Sequence, residues 1–223
     1  DFAIRNQILI LCATHCPFLI SSDDLDELRI VSCDENGIAT IDNEYSLLSR
    51  YSNVAAEIKR ALTLEKYQII NPNSKVVFVE SMDDYNILTA FKQVLDIDNI
   101  NEIFFFPIGN INENEDVGRL MDEIHRIYKR NPVILLPQGR AYDRVEDYCK
   151  KDEKCRYVLV CNYGLIGEFF VSLNSLFGLD LSSLNDGTYY FKNHIQSIKD
   201  SLSDGTIGNF RTLFSKILSE IGE

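Results

Sequence analysis

The chain has 223 residues, 45% of them hydrophobic and 25% charged, which suffices for one large or two small domains with a real core. Its formal net charge is −12, so its surface repels polyanions on average and composition lends nucleic-acid binding no support. No apolar run approaches the ~20 residues of a membrane-spanning helix, and Asp1 opens the sequence without a basic stretch ahead of an apolar one, so neither a span nor a signal peptide is expected.

Cys12, Cys16, Cys33, Cys149, Cys155 and Cys161 show no paired C-x-x-C spacing, and several lie inside apolar runs where a thiol acts as a small hydrophobe. With only three histidines (His15, His125, His194), a zinc site is not expected. The usage is that of a reduced, cytoplasmic protein.

Taken in order, residues 6–13 (Asn-Gln-Ile-Leu-Ile-Leu-Cys-Ala) read as a buried strand leading into Thr14-His15-Cys16-Pro17-Phe18-Leu19. Two β-rich runs, 28–33 and 37–41, flank Asp34-Glu35-Asn36-Gly37 and predict a hairpin. After a polar connector, Val54, Ile58, Ala61 and Leu62 recur at helical spacing over 53–64. The breaker Asn71-Pro72-Asn73-Ser74 marks a domain boundary, giving units 1–70, 71–178 and 179–223.

The second unit alternates strand and helix. Lys75-Val76-Val77-Phe78-Val79 predicts a strand buried on both faces, and Ile87, Leu88, Phe91, Val94 and Leu95 form one face of the helix after it. Residues 102–109 (Glu-Ile-Phe-Phe-Phe-Pro-Ile-Gly) predict a second buried strand ending in a turn, residues 117–128 a helix, and Pro132-Val133-Ile134-Leu135-Leu136 and Arg156-Tyr157-Val158-Leu159-Val160-Cys161 two more strands. Such alternation with short loops argues a parallel sheet with helical crossovers. Beyond Gly178, Phe191, Ile195, Ile198 and Leu202 form one helical stripe, and Ile207, Phe210, Leu213, Phe214, Ile217, Leu218 and Ile221 a second.

Glu80 ends the first of these strands and Asp84 falls within the first turn of the next helix. Both therefore stand at the carboxyl edge of the sheet, where open α/β sheets bind ligands. Two carboxylates there could share a hard divalent cation, Mg²⁺ above all. Asp83 reads as a residue that favours the helix N-terminus through its dipole.

The string V-F-V-E-S-x-x-D-Y-x-I-L resembles the opening strand and helix of a Toprim domain, usually V-x-V-E-G-x-x-D, in the version carried by OLD-family proteins, which fuse an ABC-type ATPase to a Toprim nuclease. The T-H-C-P-F-L segment resembles the switch region of the same ATPases, T-H-S-P-F-L, with Cys16 in place of Ser. The resemblance implies a Toprim-like α/β domain preceded by the carboxyl-terminal remnant of an ATPase lobe. It also implies a γ-phosphate contact for His15 and metal ligation for Glu80 and Asp84. No G-x-x-x-x-G-K-[ST] occurs, so ATP could be bound only through a part of the protein ahead of this chain. The parent ATPase lobe is then the first expected partner, with self-association and a protein effector as others.

Against the family pattern, the second acidic motif is lost. After the third strand the D-x-D positions are held by Pro137 and Gly139, with Arg140 adjacent. After the fourth, Gly164 and Gly167 stand where acids are expected, with Glu168 beside them. Three readings follow: a degenerate Toprim-like domain serving as a regulatory or interaction module; an active Mg²⁺-dependent nuclease with a rearranged site built from Glu80, Asp84, Asp143 and Glu168; or an unrelated α/β nucleotide-binding or hydrolytic domain, for which no Gly-rich loop or G-x-S-x-G speaks.

Overall fold

The computed structural model describes residues 6, 8–13, 29–34, 37–42, 75–109, 111, 116–127, 132–151, 157–169 and 187–221. The expected hairpin is present: β1 (Ile30–Cys33) pairs antiparallel with β2 (Ala39–Asp42), Val31 opposite Ile41. Its turn closes through a Gly37 N–H donated to the Asp34 carbonyl at 3.0 Å, with Gly37 at φ +79°, and the Asp34 side chain accepts the Ile38 N–H at 2.8 Å. Asp-to-Gly chemistry of this kind is what a tight reversal requires.

The apolar run at 8–13 departs from expectation. Its backbone is irregular rather than extended in a sheet, and Leu9 and Leu11 are 82% and 84% exposed. The physical reason is pairing: a strand needs neighbours for its N–H and C=O groups, and among the described residues this run has none. The expected helix at 53–64 lies outside the described residues.

The rest is α/β. Four strands form one parallel sheet in the order β4-β3-β5-β6: β3 is Lys75–Val79, β4 Ile103–Pro107, β5 Val133–Leu136 and β6 Val158–Cys161. In register, Val76 faces Phe104 on one side, Phe78 faces Ile134 on the other, and Ile134 faces Leu159 beyond. Val76 to Val79 are all buried, so the continuous apolar run does mark a strand covered on both faces. The chain leaves β3 for β4 and then returns across β3 to β5. In open α/β sheets a reversal of that kind marks where the ligand-binding crevice lies, here at the carboxyl ends of β3 and β5.

Among the described residues, α1 (Met82–Lys92), α2 (Val117–Ile127) and α3 (Arg140–Lys151) follow β3, β4 and β5, and residues 165–169 turn helical after β6. Two more, α4 (Gly187–Ile198) and α5 (Asp204–Ile221), close the chain. The helices pack in two groups. α1 lies against β4 and α4, while α2 lies against α3. The last two helices share one core with the sheet. Phe91 of α1 stacks on Phe210 of α5 at 3.6 Å between ring centres, with Phe169 edge-on at 5.0 Å and Phe191 of α4 at 5.8 Å. Phe214 meets Phe105 of β4 edge-on at 5.7 Å. Such ring pairs add to the large apolar area each ring removes from water. The described cysteines Cys12, Cys33, Cys149 and Cys161 are free, and no helix among the described residues is long and apolar enough to cross a membrane.

Because Phe91 is fully buried and touches three other rings, Phe91→Ala should cost about 3–5 kcal/mol. Urea unfolding measures this directly, and a loss below about 1 kcal/mol would show that the cluster is not the centre of the core.

Candidate functional site

The chain leaves β3 at Val79, places Glu80, and turns into α1 through Ser81, whose extended backbone (φ −133°, ψ 169°) caps the helix. The Ser81 hydroxyl accepts the Asp84 N–H at 3.1 Å, and the Asp84 carboxylate accepts the Ser81 N–H at 3.0 Å. This reciprocal pair is a capping box, here with Asp at its third position. The box folds the Asp84 carboxylate back toward the strand end, bringing it within electrostatic reach of Glu80.

Both acids are half-buried, and both hold their protons more tightly than usual. For Glu80, burial raises the carboxyl above its ordinary value, while an N–H donated by Ile111 acts in the opposite direction. For Asp84, enclosure of the carboxyl lifts it from 3.8 to about 6; the two hydrogen bonds with Ser81 oppose the rise, and the negative charges of Glu80 and Asp83 add to it. Two carboxylates that resist ionisation side by side form a place where a cation would be welcome. They also supply only part of the oxygen set that a divalent ion takes.

On the other side, the positions next to the ends of β5 and β6 carry glycines and a proline. β5 ends in Pro137, Gln138 and Gly139, and Gly139 sits at φ +150°, a conformation that residues with a side chain rarely adopt. α3 begins at once, with the Asp143 N–H donated to the Gly139 carbonyl at 3.0 Å and Asp143 in the first helical turn. β6 ends in a tight reversal: the Leu165 N–H meets the Asn162 carbonyl at 3.0 Å, and the central residues Tyr163 and Gly164 have φ of 53° and 81°. Two successive positive φ values are those of a type I′ turn, which Gly, Asn and Asp adopt most readily and longer side chains rarely do. Asn162, itself buried, steadies the turn by accepting the Gly164 N–H at 2.9 Å.

The structure therefore brings Glu80 and Asp84 together as the sequence suggests. His15 lies outside the described residues. Among the described residues no three His, Cys, Asp or Glu side chains converge so as to hold a metal ion. Glu80, Asp84, Asp143 and Glu168 thus do not form one site. Sequence reasoning missed the Ile111 N–H, which reaches Glu80 from the loop after β4. That contact depends on β4 lying beside β3, which no local pattern encodes. Serine followed three residues on by an acid did signal the Ser81 cap. No protein-family model and no curated protein matches this sequence.

Asp84 binds a proton more tightly in the folded state than in the unfolded one, so its contribution to stability is greatest at low pH and is lost as pH rises through about 6. Between about pH 4 and pH 7 the wild type should lose up to about 3 kcal/mol more stability than Asp84→Asn, which keeps an acceptor for the Ser81 N–H. Parallel stability-versus-pH curves for the two proteins would remove Asp84 from the account.

Proposed function

We propose that this chain is the carboxyl-terminal part of an OLD-like ATP-binding protein of the cytoplasm, and that its Toprim-like domain is a regulatory or interaction module rather than a nuclease. The observation that carries this reading is the backbone at the strand ends opposite Glu80. At Gly139 and Gly164, two of the positions where the family pattern expects acids, the chain adopts positive φ. The ligand set has been lost together with the backbone that would have presented it.

Phosphodiester cleavage by paired ions needs two cations about 3.5–4 Å apart, stabilising the attacking and leaving oxygens together. Glu80 and Asp84 could hold one ion, Mg²⁺ or Mn²⁺, weakly. One weakly held ion cannot do both jobs. An overall charge of −12 further disfavours a polyanionic substrate. The resemblance around His15 supports a γ-phosphate contact in the intact ATPase, with the parent lobe as partner and ATP bound only there.

The direct assay is plasmid nicking with Mg²⁺ and Mn²⁺, comparing the wild type with Glu80→Ala. Equal background in both is the expected outcome. Cleavage that vanishes in the variant would instead establish the rearranged-nuclease reading. Pro137→Asp should raise Mn²⁺ affinity, whereas Gly139→Asp should cost about 1–3 kcal/mol of stability from backbone strain. Unchanged Mn²⁺ affinity in Pro137→Asp would show that the end of β5 does not face the acidic turn.

A further inference from the structure

The interface between α1 and α4 has an apolar end and a polar end. At the apolar end Phe91 meets Phe191, with Ile195 fully buried nearby in the same core. At the polar end one hydroxyl joins both helices. Thr188 of α4 donates to the Asp83 carboxylate at 2.6 Å, and its oxygen accepts an N–H from the Asn86 amide at 3.2 Å. Thr188 and Asn86 are only 1% and 4% exposed. A hydroxyl is suited to this place because it donates once and still accepts. The bond to the Asp83 carboxylate is the shorter of the two.

Stability does not explain this arrangement. Among the described residues the buried Asn86 side-chain oxygen has no hydrogen-bond partner, a cost that an apolar residue of similar shape would avoid. The aromatic cluster supplies apolar contact between α4 and α1 through Phe91 and Phe191. The Thr188 hydroxyl adds a directional contact at the other end of the interface. Asp83 and Asn86 lie three residues apart on one face of α1, so gripping both fixes the helix along its axis and about it. Asp83 is flanked within the same turn by the Ser81 cap and by Asp84.

We infer that Thr188 is a positioning residue for the acidic turn, and that α4 is part of the apparatus that sets the placement of Glu80 and Asp84. The carboxyl-terminal helices then act on the same edge of the sheet as the strand ends do, and a boundary drawn after residue 178 cuts through that apparatus. This goes beyond the functional reading above and does not depend on it, because it concerns the geometry of the turn and needs neither a bound ion nor an ATPase lobe.

Residue-resolved amide hydrogen exchange on the full chain tests it. The probes are the Ser81 and Asp84 amides, the two donors of the capping box. Thr188→Val, which keeps the shape and removes the hydroxyl, should speed their exchange about tenfold and leave the β3 and β5 amides unchanged. Thr188→Ser should restore protection. Asp83→Ala, at an exposed side chain, removes the acceptor of the Thr188 hydroxyl without changing the shape of the buried interface; it should loosen the same amides, and so stands in if the valine variant fails to fold. Unchanged exchange at Ser81 and Asp84 in Asp83→Ala would overturn the inference. Acceleration spread equally over the turn and the sheet, with no rescue by serine, would overturn it as well, since it would mark a purely structural contact.

Discussion

Burial of β3 on both faces is the constraint on which the rest depends. A strand in the middle of a parallel sheet must be covered above and below, because its side chains alternate between faces and Val76 to Val79 are all apolar. Here α1 and the carboxyl-terminal helices supply one cover through Phe91, Phe191, Phe210 and Phe214. With β3 held centrally, its carboxyl end falls beside the reversal in strand order, and the next residue in the chain is Glu80. The acidic turn is thus a consequence of the core rather than a feature added to it.

Much of this was legible in the sequence because it is local. The apolar runs at β3, β4, β5 and β6, the Asp-to-Gly hairpin and the 3.6-residue stripes of α2 and α5 all report what a segment buries. The misreading at residues 8–13 has the same root. An apolar run reports what a strand could bury, not which neighbour pairs with it, and among the described residues Ile8 to Leu11 are exposed. The register of α1 against α4 was not legible either. Thr188 and Asp83 are separated by 105 positions, and a threonine in a helical stripe gives no local sign of the carboxylate that it meets.

The site shows the same division. Glu80 and Asp84 could be read from strand end and helix start. What stands opposite them could be read only as missing side chains, at Pro137, Gly139 and Gly164. The structure adds that Gly139 and Gly164 are backbone devices, each at positive φ, and that Tyr163 occupies such a conformation beside one of them. A reversal built in this way costs energy whenever a side chain is present. The carboxyl edge of the sheet is therefore asymmetric: an acidic, proton-retaining turn on the β3 side, and tight glycine reversals at β5 and β6.

That asymmetry is the central claim, and anomalous diffraction from crystals soaked in Mn²⁺ tests it most directly. The account predicts at most one partly occupied ion, ligated by Glu80 and Asp84 and otherwise by water. Two full ions about 3.5–4 Å apart, bridged by ligands from the β5 or β6 side, would contradict it.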